Sequence, residues 1–320
     1  MSLPAPRRLP SLLLACALSA CHRPPAPVAS AASAPLAAPA ASAASAIEEA
    51  AASAPPPVGA LGDSKEELMH EAFDDWHPDQ PYVADLPSDD PKDPAPRSAV
   101  VTPAFAVAVD EDHRVLVVTG TLSDEDGAPV DSHASAGSVS TYAFERRGGR
   151  WFRSAAAAFI EWTGSYGNAS DVKEVDLGAG HHGLVIEGGY CGQGYCGSQL
   201  ELFGVTRDRT LKMASLMTSS DSTGALEGCS ERLAGTPASA PAEPGGPDPT
   251  GCFAIQGSWH AVPVAGAEWS DFVVTFKGDE VVVDNATKAA AVRHIDEALV
   301  LRHAGDKYLP VKGRNPTHAI

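Results

Sequence analysis

Aromatic residues make up only 6% of this 320-residue chain, and Lys plus Arg number 23 against 41 Asp plus Glu. The shortage of large side chains limits the core, because the 44% apolar share is inflated by alanine, which buries little area. A formal charge of -18 repels phosphate backbones, so nucleic acid is not expected as a partner. Beyond the N-terminus there is no apolar run of membrane-spanning length, which excludes a polytopic membrane protein. No repeat of fixed period appears, no motif names a reaction, and no fingerprint implies a cofactor. What the sequence does carry is an address, a tether and a pattern of strands.

Arg7 and Arg8 precede an apolar run over residues 9–20, too short to cross a bilayer and of the length of a secretory h-region. The run closes on Leu18-Ser19-Ala20-Cys21. This stretch resembles the lipobox of bacterial lipoproteins. The resemblance implies that residues 1–20 are a signal peptide, that cleavage falls before Cys21, and that Cys21 carries acyl chains on its thiol and its new amino group. Several chains make a firm membrane anchor, unlike a single myristoyl group. His22 rather than Asp follows the anchor, which in Gram-negative lipoproteins implies passage to the outer membrane.

Residues 21–60 are almost entirely Ala, Pro and Ser, with too few large apolar side chains to pack and too many prolines to coil. Extended, such a tether reaches on the order of 100 Å. Residues 61–97 form an acidic arm. Its segment 61–93 holds eleven acids and two lysines, half of the net charge of the whole chain. Within it, Ser64 and Glu67 have capping-box spacing, and Leu68, Met69, Ala72, Phe73 and Trp76 recur on one helical face before Pro78, which predicts a helix over 65–77. That stripe is expected on the protein's own sheet, with a partner's groove as the alternative. Residues 81–96, rich in proline and acid, read as a second linker.

From residue 98 to 320 the pattern changes to short runs rich in Val, Ile, Leu and aromatics. Strands are expected at 99–109, 114–121, 138–146, 151–162, 172–177, 183–188, 199–206, 211–217, 252–262, 272–276, 280–284, 298–303 and 307–311. Gly148-Gly149, Gly278-Asp279 and Gly305-Asp306 read as tight turns between hairpin partners. The expected fold is mainly β, an antiparallel meander forming a sandwich, an open barrel or part of a propeller. Residues 287–299, with Ala289-Ala290-Ala291, leave a helix open, and a Pro/Gly-rich insert occupies 234–250.

Four cysteines remain after Cys16 and Cys21. In an oxidising envelope, sequence proximity pairs Cys191 with Cys196 and Cys229 with Cys252. A metal site using the first pair with His181 and His182 has the wrong knuckle spacing, and a redox pair would want Cys-x-x-Cys at a helix start. Ser170 and Lys173 have Ser-x-x-Lys spacing, but beside a strand, where they would fall on opposite faces. Asp124, Glu125, Asp126 and Asp131 crowd a turn without the glutamate that completes an EF-hand loop. Glu161, Trp162 and Tyr166 sit beside one Gly-rich loop, and Tyr190 and Tyr195 in another. Aromatics on such loops build shallow carbohydrate or peptide sites, and they also complete β cores. These five are the candidate ligand residues. His260 beside Trp259, and His181-His182 before Glu187, supply general-base types without a nucleophile.

The reading that follows is a non-catalytic envelope lipoprotein, anchored in the outer membrane, whose β domain binds or braces an envelope protein or glycan. One rival is a cell-wall or glycan hydrolase, which would require carboxylates such as Glu161, Asp171, Glu187 or Asp271 to converge in a cleft. Another is a periplasmic solute or metal sensor, which would require an internal pocket with convergent polar groups.

Overall fold

The structure of the protein, a computed structural model, describes residues 62–87, 95–155, 158–235, 251–284, 286 and 289–320. The signal segment, Cys21, the tether and most of the 234–250 insert lie outside the described residues, as does the Ser64 side chain of the expected capping box.

One helix, α1 (Gly62–Ala72), leads into a six-stranded antiparallel sheet. Its strands are β1 (Val83–Leu86), β2 (Arg97–Ala108), β3 (His113–Leu122), β4 (Gly137–Arg147), β5 (Arg150–Arg153) and β6 (Ala158–Thr163). The first five are neighbours in chain order, and β6 pairs with β4. An eight-stranded antiparallel meander follows: β7 (Asp171–Asp176), β8 (His182–Gly192), β9 (Tyr195–Val205), β10 (Thr210–Asp221), β11 (Phe253–Val262), β12 (Asp271–Val283), β13 (Ala290–Ala304) and β14 (Lys307–Lys312). A short helix, α2 (Cys229–Leu233), interrupts it between β10 and β11. The protein is therefore mainly β and antiparallel, as the alternating runs require.

Strand β3 shows how the layers form. In its run Val115-Leu116-Val117-Val118 every side chain is buried, because alternate residues face two different cores. Leu116 and Val118 meet Leu68, Met69, Phe73 and Trp76 from the α1 segment. Val115 and Val117 meet Leu184, Ile186, Phe203 and Val205 from β8 and β9. The result is three layers, a helix on a sheet on a sheet. A further cluster, including Leu202, Phe272, Phe276 and Leu301, is gathered from β7 to β14, so the larger sheet curls around it. Strand β14 returns to β10, where Lys307 Nζ donates to the Lys212 carbonyl at 2.7 Å.

Several expectations are corrected. The helix stops at Ala72 instead of His77, because Asp75 adopts a left-handed conformation, φ 59°. Phe73 and Trp76 still bury on the sheet from the turn that follows. The supposed second linker contains β1, whose Val83–Leu86 lies in register with Arg97–Val100. The single run at 151–162 is two strands, β5 and β6, both paired with β4. Gly278-Asp279 makes no turn, and β12 runs straight through it. Gly278 is needed there because β11 approaches so closely that a Cβ would lie 2.0 Å from the Ala254 carbonyl oxygen. The Ala-rich stretch forms no helix either, since Ala290–Ala304 is a strand paired with β12 from Ala290 onward.

At one end of the larger sheet, Trp269 is held between two imidazoles. Its ring stacks on His181 and on His303, each at 3.8 Å between centroids. The Ser270 amide donates to the Leu177 carbonyl at 2.7 Å, tying the same loop to the β7–β8 turn. Burial lowers the His303 pKa below its ordinary value, and the facing His181 adds to the effect, while Asp306 opposes it. Tyr308 packs edge-on against the same imidazole. A histidine with a depressed folded-state pKa binds fewer protons folded than unfolded, so stability is lost as pH falls through the ordinary histidine value near 6.5. Urea unfolding across about pH 7 to 5 should show this slope, and His303→Phe, which keeps a stacked ring, should flatten it. An unchanged slope in the variant would show that the stack does not titrate.

Candidate functional site

Two of the five candidate ligand residues meet at one place, with a residue the sequence did not mark. Tyr166 lies in the β6–β7 connection and Tyr190 near the end of β8. His133, from the β3–β4 connection, stands between them. Ring centroids are 5.3 Å from His133 to Tyr166 and 5.7 Å to Tyr190, both edge-on. Tyr166 is 51% exposed and Tyr190 60%. The Tyr166 backbone has φ 52°, an uncommon conformation for a non-glycine residue. Its neighbours hold it there. The Leu122 amide donates to the Gly167 carbonyl at 2.8 Å, the Gly167 amide to Ser135 O at 2.9 Å, and Asn168 Nδ2 to the Tyr166 carbonyl at 3.0 Å.

This aromatic group borders an open cleft of about 920 Å³ whose floor includes Ser198, Ser219, Gln256, Ser258, Thr275 and Lys277. Asp221 also lines it, but its Oδ1 accepts bonds from the Thr223 amide and hydroxyl at 2.7 and 2.6 Å.

Of the remaining candidates none lines this cleft, though Glu161 and Trp162 line an adjoining cavity of about 440 Å³ that shares Gly189, Tyr190 and Ser198 with it. Trp162 is a core residue, packed with Leu86 and Ala99, its indole N–H donating to the Pro87 carbonyl at 3.3 Å. Glu161 pairs with Lys212, which also reaches Glu201 at 3.1 Å. Tyr195 is half-buried at the start of β9, opposite Gly192. His133 was invisible in the sequence because a lone histidine in a polar loop carries no pattern. Only the register of two loops around Tyr166 gives it meaning.

The carboxylates named for a hydrolase do not converge in a cleft. Asp271 is held by Arg302 through two bonds of 2.8 and 2.7 Å, which lowers its pKa. Glu187 pairs with Lys173 at 3.0 Å, so the lysine of the Ser-x-x-Lys spacing is engaged away from Ser170, whose Oγ accepts from Thr163 Oγ1. Asp171 lies across from Glu187 on the neighbouring strand. In the acidic turn, Asp124 Oδ1 accepts the Asp126 and Ala128 amides, an Asx turn that uses the carboxylate to shape backbone. His182 pairs with Glu174 at 3.1 Å. Among the described residues no three His, Cys, Asp or Glu side chains are grouped to hold a metal ion.

Comparison with protein-family models, curated proteins and solved structures finds no match to this chain.

The cysteines divide. Cys191 and Cys196 form a disulfide across the β8–β9 hairpin, where they are direct cross-strand partners with Cα atoms 4.1 Å apart. The turn between them uses positive φ at Gln193 and Gly194. The expected Cys229–Cys252 bridge is corrected: both are free thiols, buried in an apolar cluster with Val281, Leu226 and Leu233. Sequence proximity did bring them together, and Cys229 Sγ lies 3.6 Å from Ser222 Oγ. Burial, with the neighbouring Cys229 thiol, pushes the Cys252 pKa up to about 11. A thiol in that state is a poor nucleophile near neutral pH. Native protein treated with iodoacetamide should leave both residues unmodified by peptide mass mapping, with labelling on unfolding. Ready native labelling would place them at an open surface instead.

Proposed function

We propose that this chain is a non-catalytic lipoprotein of the bacterial cell envelope, anchored at Cys21 in the outer membrane, whose β body binds an envelope glycan or protein. Three sequence features support the location: the basic residues Arg7 and Arg8, the short apolar run, and Leu18-Ser19-Ala20-Cys21. No helix among the described residues is long and apolar enough to cross a membrane. In this reading attachment comes from the acyl chains, and the tether lets the body work away from the lipid.

The observation that carries the binding role is the group formed by Tyr166, His133 and Tyr190 at the border of a wide, open cleft. Exposed tyrosines are costly to leave in water. They supply large, rigid contact area with little loss of side-chain entropy on binding. The open cleft suits a surface-bound segment of a polymer better than an enclosed solute, which disfavours the sensor reading. A hydrolase has less support still, because Glu161, Glu187 and Asp271 are each held by a basic partner.

Two measurements test this. A fatty-acid probe should label the wild type and not Cys21→Ser. The Cys21→Ser chain should co-sediment with isolated cell envelopes, and adding Tyr166→Ala with Tyr190→Ala should weaken that binding about tenfold or more, the scale of losing aromatic anchors. Equal labelling would remove the anchor, and equal co-sedimentation would remove the site.

A further inference from the structure

The floor of the cleft has an order that goes beyond its aromatic border. Gly189, Ser198, Ser219, Gln256 and Lys277 are successive register partners across β8, β9, β10, β11 and β12. Register partners share a face of a sheet, so these five positions form one row perpendicular to the strands. Ser258 and Thr275, also register partners, stand beside it. The row begins next to Tyr190 and ends at Lys277, whose register partner on β13 is Asp296. The side chains of Ser198, Ser219, Gln256, Ser258 and Thr275 form no hydrogen bond with other described residues, and none of them is buried. The structure thus holds a line of unengaged hydroxyl and amide groups at strand spacing, with an aromatic pair at one end and opposite charges that balance at the other.

That arrangement selects among ligands. An extended peptide binds a sheet most readily by adding to an edge, through main-chain bonds. At the row's four inner positions, Ser198, Ser219, Gln256 and Lys277, the strands are paired on both sides, so a peptide laid across the row finds no free edge there. Lys277 is the row's one charged side chain and Asp296 is its register partner on β13, so the row offers an ionic ligand no cluster of like charge. A chain of sugar rings has the complementary chemistry: hydroxyls at short regular intervals for Ser, Thr and Gln, and apolar ring faces for tyrosine. Four strand-to-strand steps of ~4.8 Å span about 19 Å, and one step is close to the length of one pyranose in an extended β-linked chain. Resting on the binding role assigned above, we propose that the occupant is a linear, uncharged oligosaccharide of about four residues, laid across the strands from Tyr190 toward Lys277.

The test is calorimetric titration of the non-lipidated Cys21→Ser chain with β-1,4-linked N-acetylglucosamine oligomers of two to six units. Affinity should rise with length and level off near the tetramer. Gln256→Leu, an exposed and nearly isosteric change, should lower tetramer affinity about tenfold toward that of the dimer, a loss expected when a site's polar partner is removed, while leaving the dimer unaffected. Tyr166→Ala with Tyr190→Ala should weaken every length. Binding that ignores length, or an unaltered tetramer affinity in Gln256→Leu, overturns the polar row as the ligand path. If no oligomer binds while envelope co-sedimentation still depends on the two tyrosines, the ligand is not a saccharide and only this inference falls. If neither depends on the tyrosines, both fall.

Discussion

The double coverage of β3 is the constraint on which the other layers depend. A strand whose consecutive residues are all apolar cannot leave either face in water, so it needs a helix on one side and a second sheet on the other. Leu116 and Val118 recruit the α1 segment, while Val115 and Val117 recruit β8 and β9. Thr141 on β4 and Thr210 on β10 add a hydroxyl–hydroxyl contact of 3.0 Å between the sheets. Once these layers are fixed, the β3–β4 and β6–β7 connections must emerge beside the end of β8. The meeting of His133, Tyr166 and Tyr190 is a consequence of that packing. Loops supply His133 and Tyr166, β8 supplies Tyr190, and the doubly covered strand supplies their positions.

Electrostatics reinforce a scaffold more than they prepare a reaction. Among the described residues three carboxylates are buried, and each has a basic partner: Glu201 with Lys212, Asp271 with Arg302, and Glu280 with Arg293 and His318. Removing one member of such a pair strands the other charge, whereas the intact pair adds little net stability. Their effect is to specify register and strap placement. Glu280 illustrates it: the His318 ring that reaches it stacks on Phe253 at 4.2 Å, and the His318 amide donates to Ser220 Oγ at 3.1 Å. The C-terminal segment is thereby fastened across β10, β11 and β12.

Much of the fold was legible because alternation is a local property. The strand expected at 114–121 stands as β3, and the helical stripe from Leu68 to Trp76 reads as a face in need of a sheet. What was illegible depended on partners far away in sequence. Gly278 looks like a turn until Ala254 is known to lie against it, and Ala290–Ala304 looks partly helical until β12 offers it a continuous ladder. Trp162 shows the same limit at the site. Its place beside a Gly-rich loop matched Tyr166, but Leu86, from a strand hidden among prolines, claims it for the core. The cysteines were read correctly for neighbourhood and incorrectly for bonding at Cys229 and Cys252.

At Tyr166 an uncommon backbone conformation and exposure of a large ring coincide. A non-glycine residue at φ 52° gives up backbone energy of about 1 kcal/mol or more unless its surroundings hold it. Here the surroundings do so through Gly167, Ser135 and Asn168, yet the ring they hold is half in water and contributes nothing to a core. A sequence free to relax would place glycine or asparagine at that position and bury the tyrosine elsewhere. Keeping a large ring on a strained turn, next to a second exposed tyrosine and above a row of unengaged hydroxyls, makes sense when ring and row are used together. The cost is local to the turn, and under the proposed function it is offset when a ligand covers both.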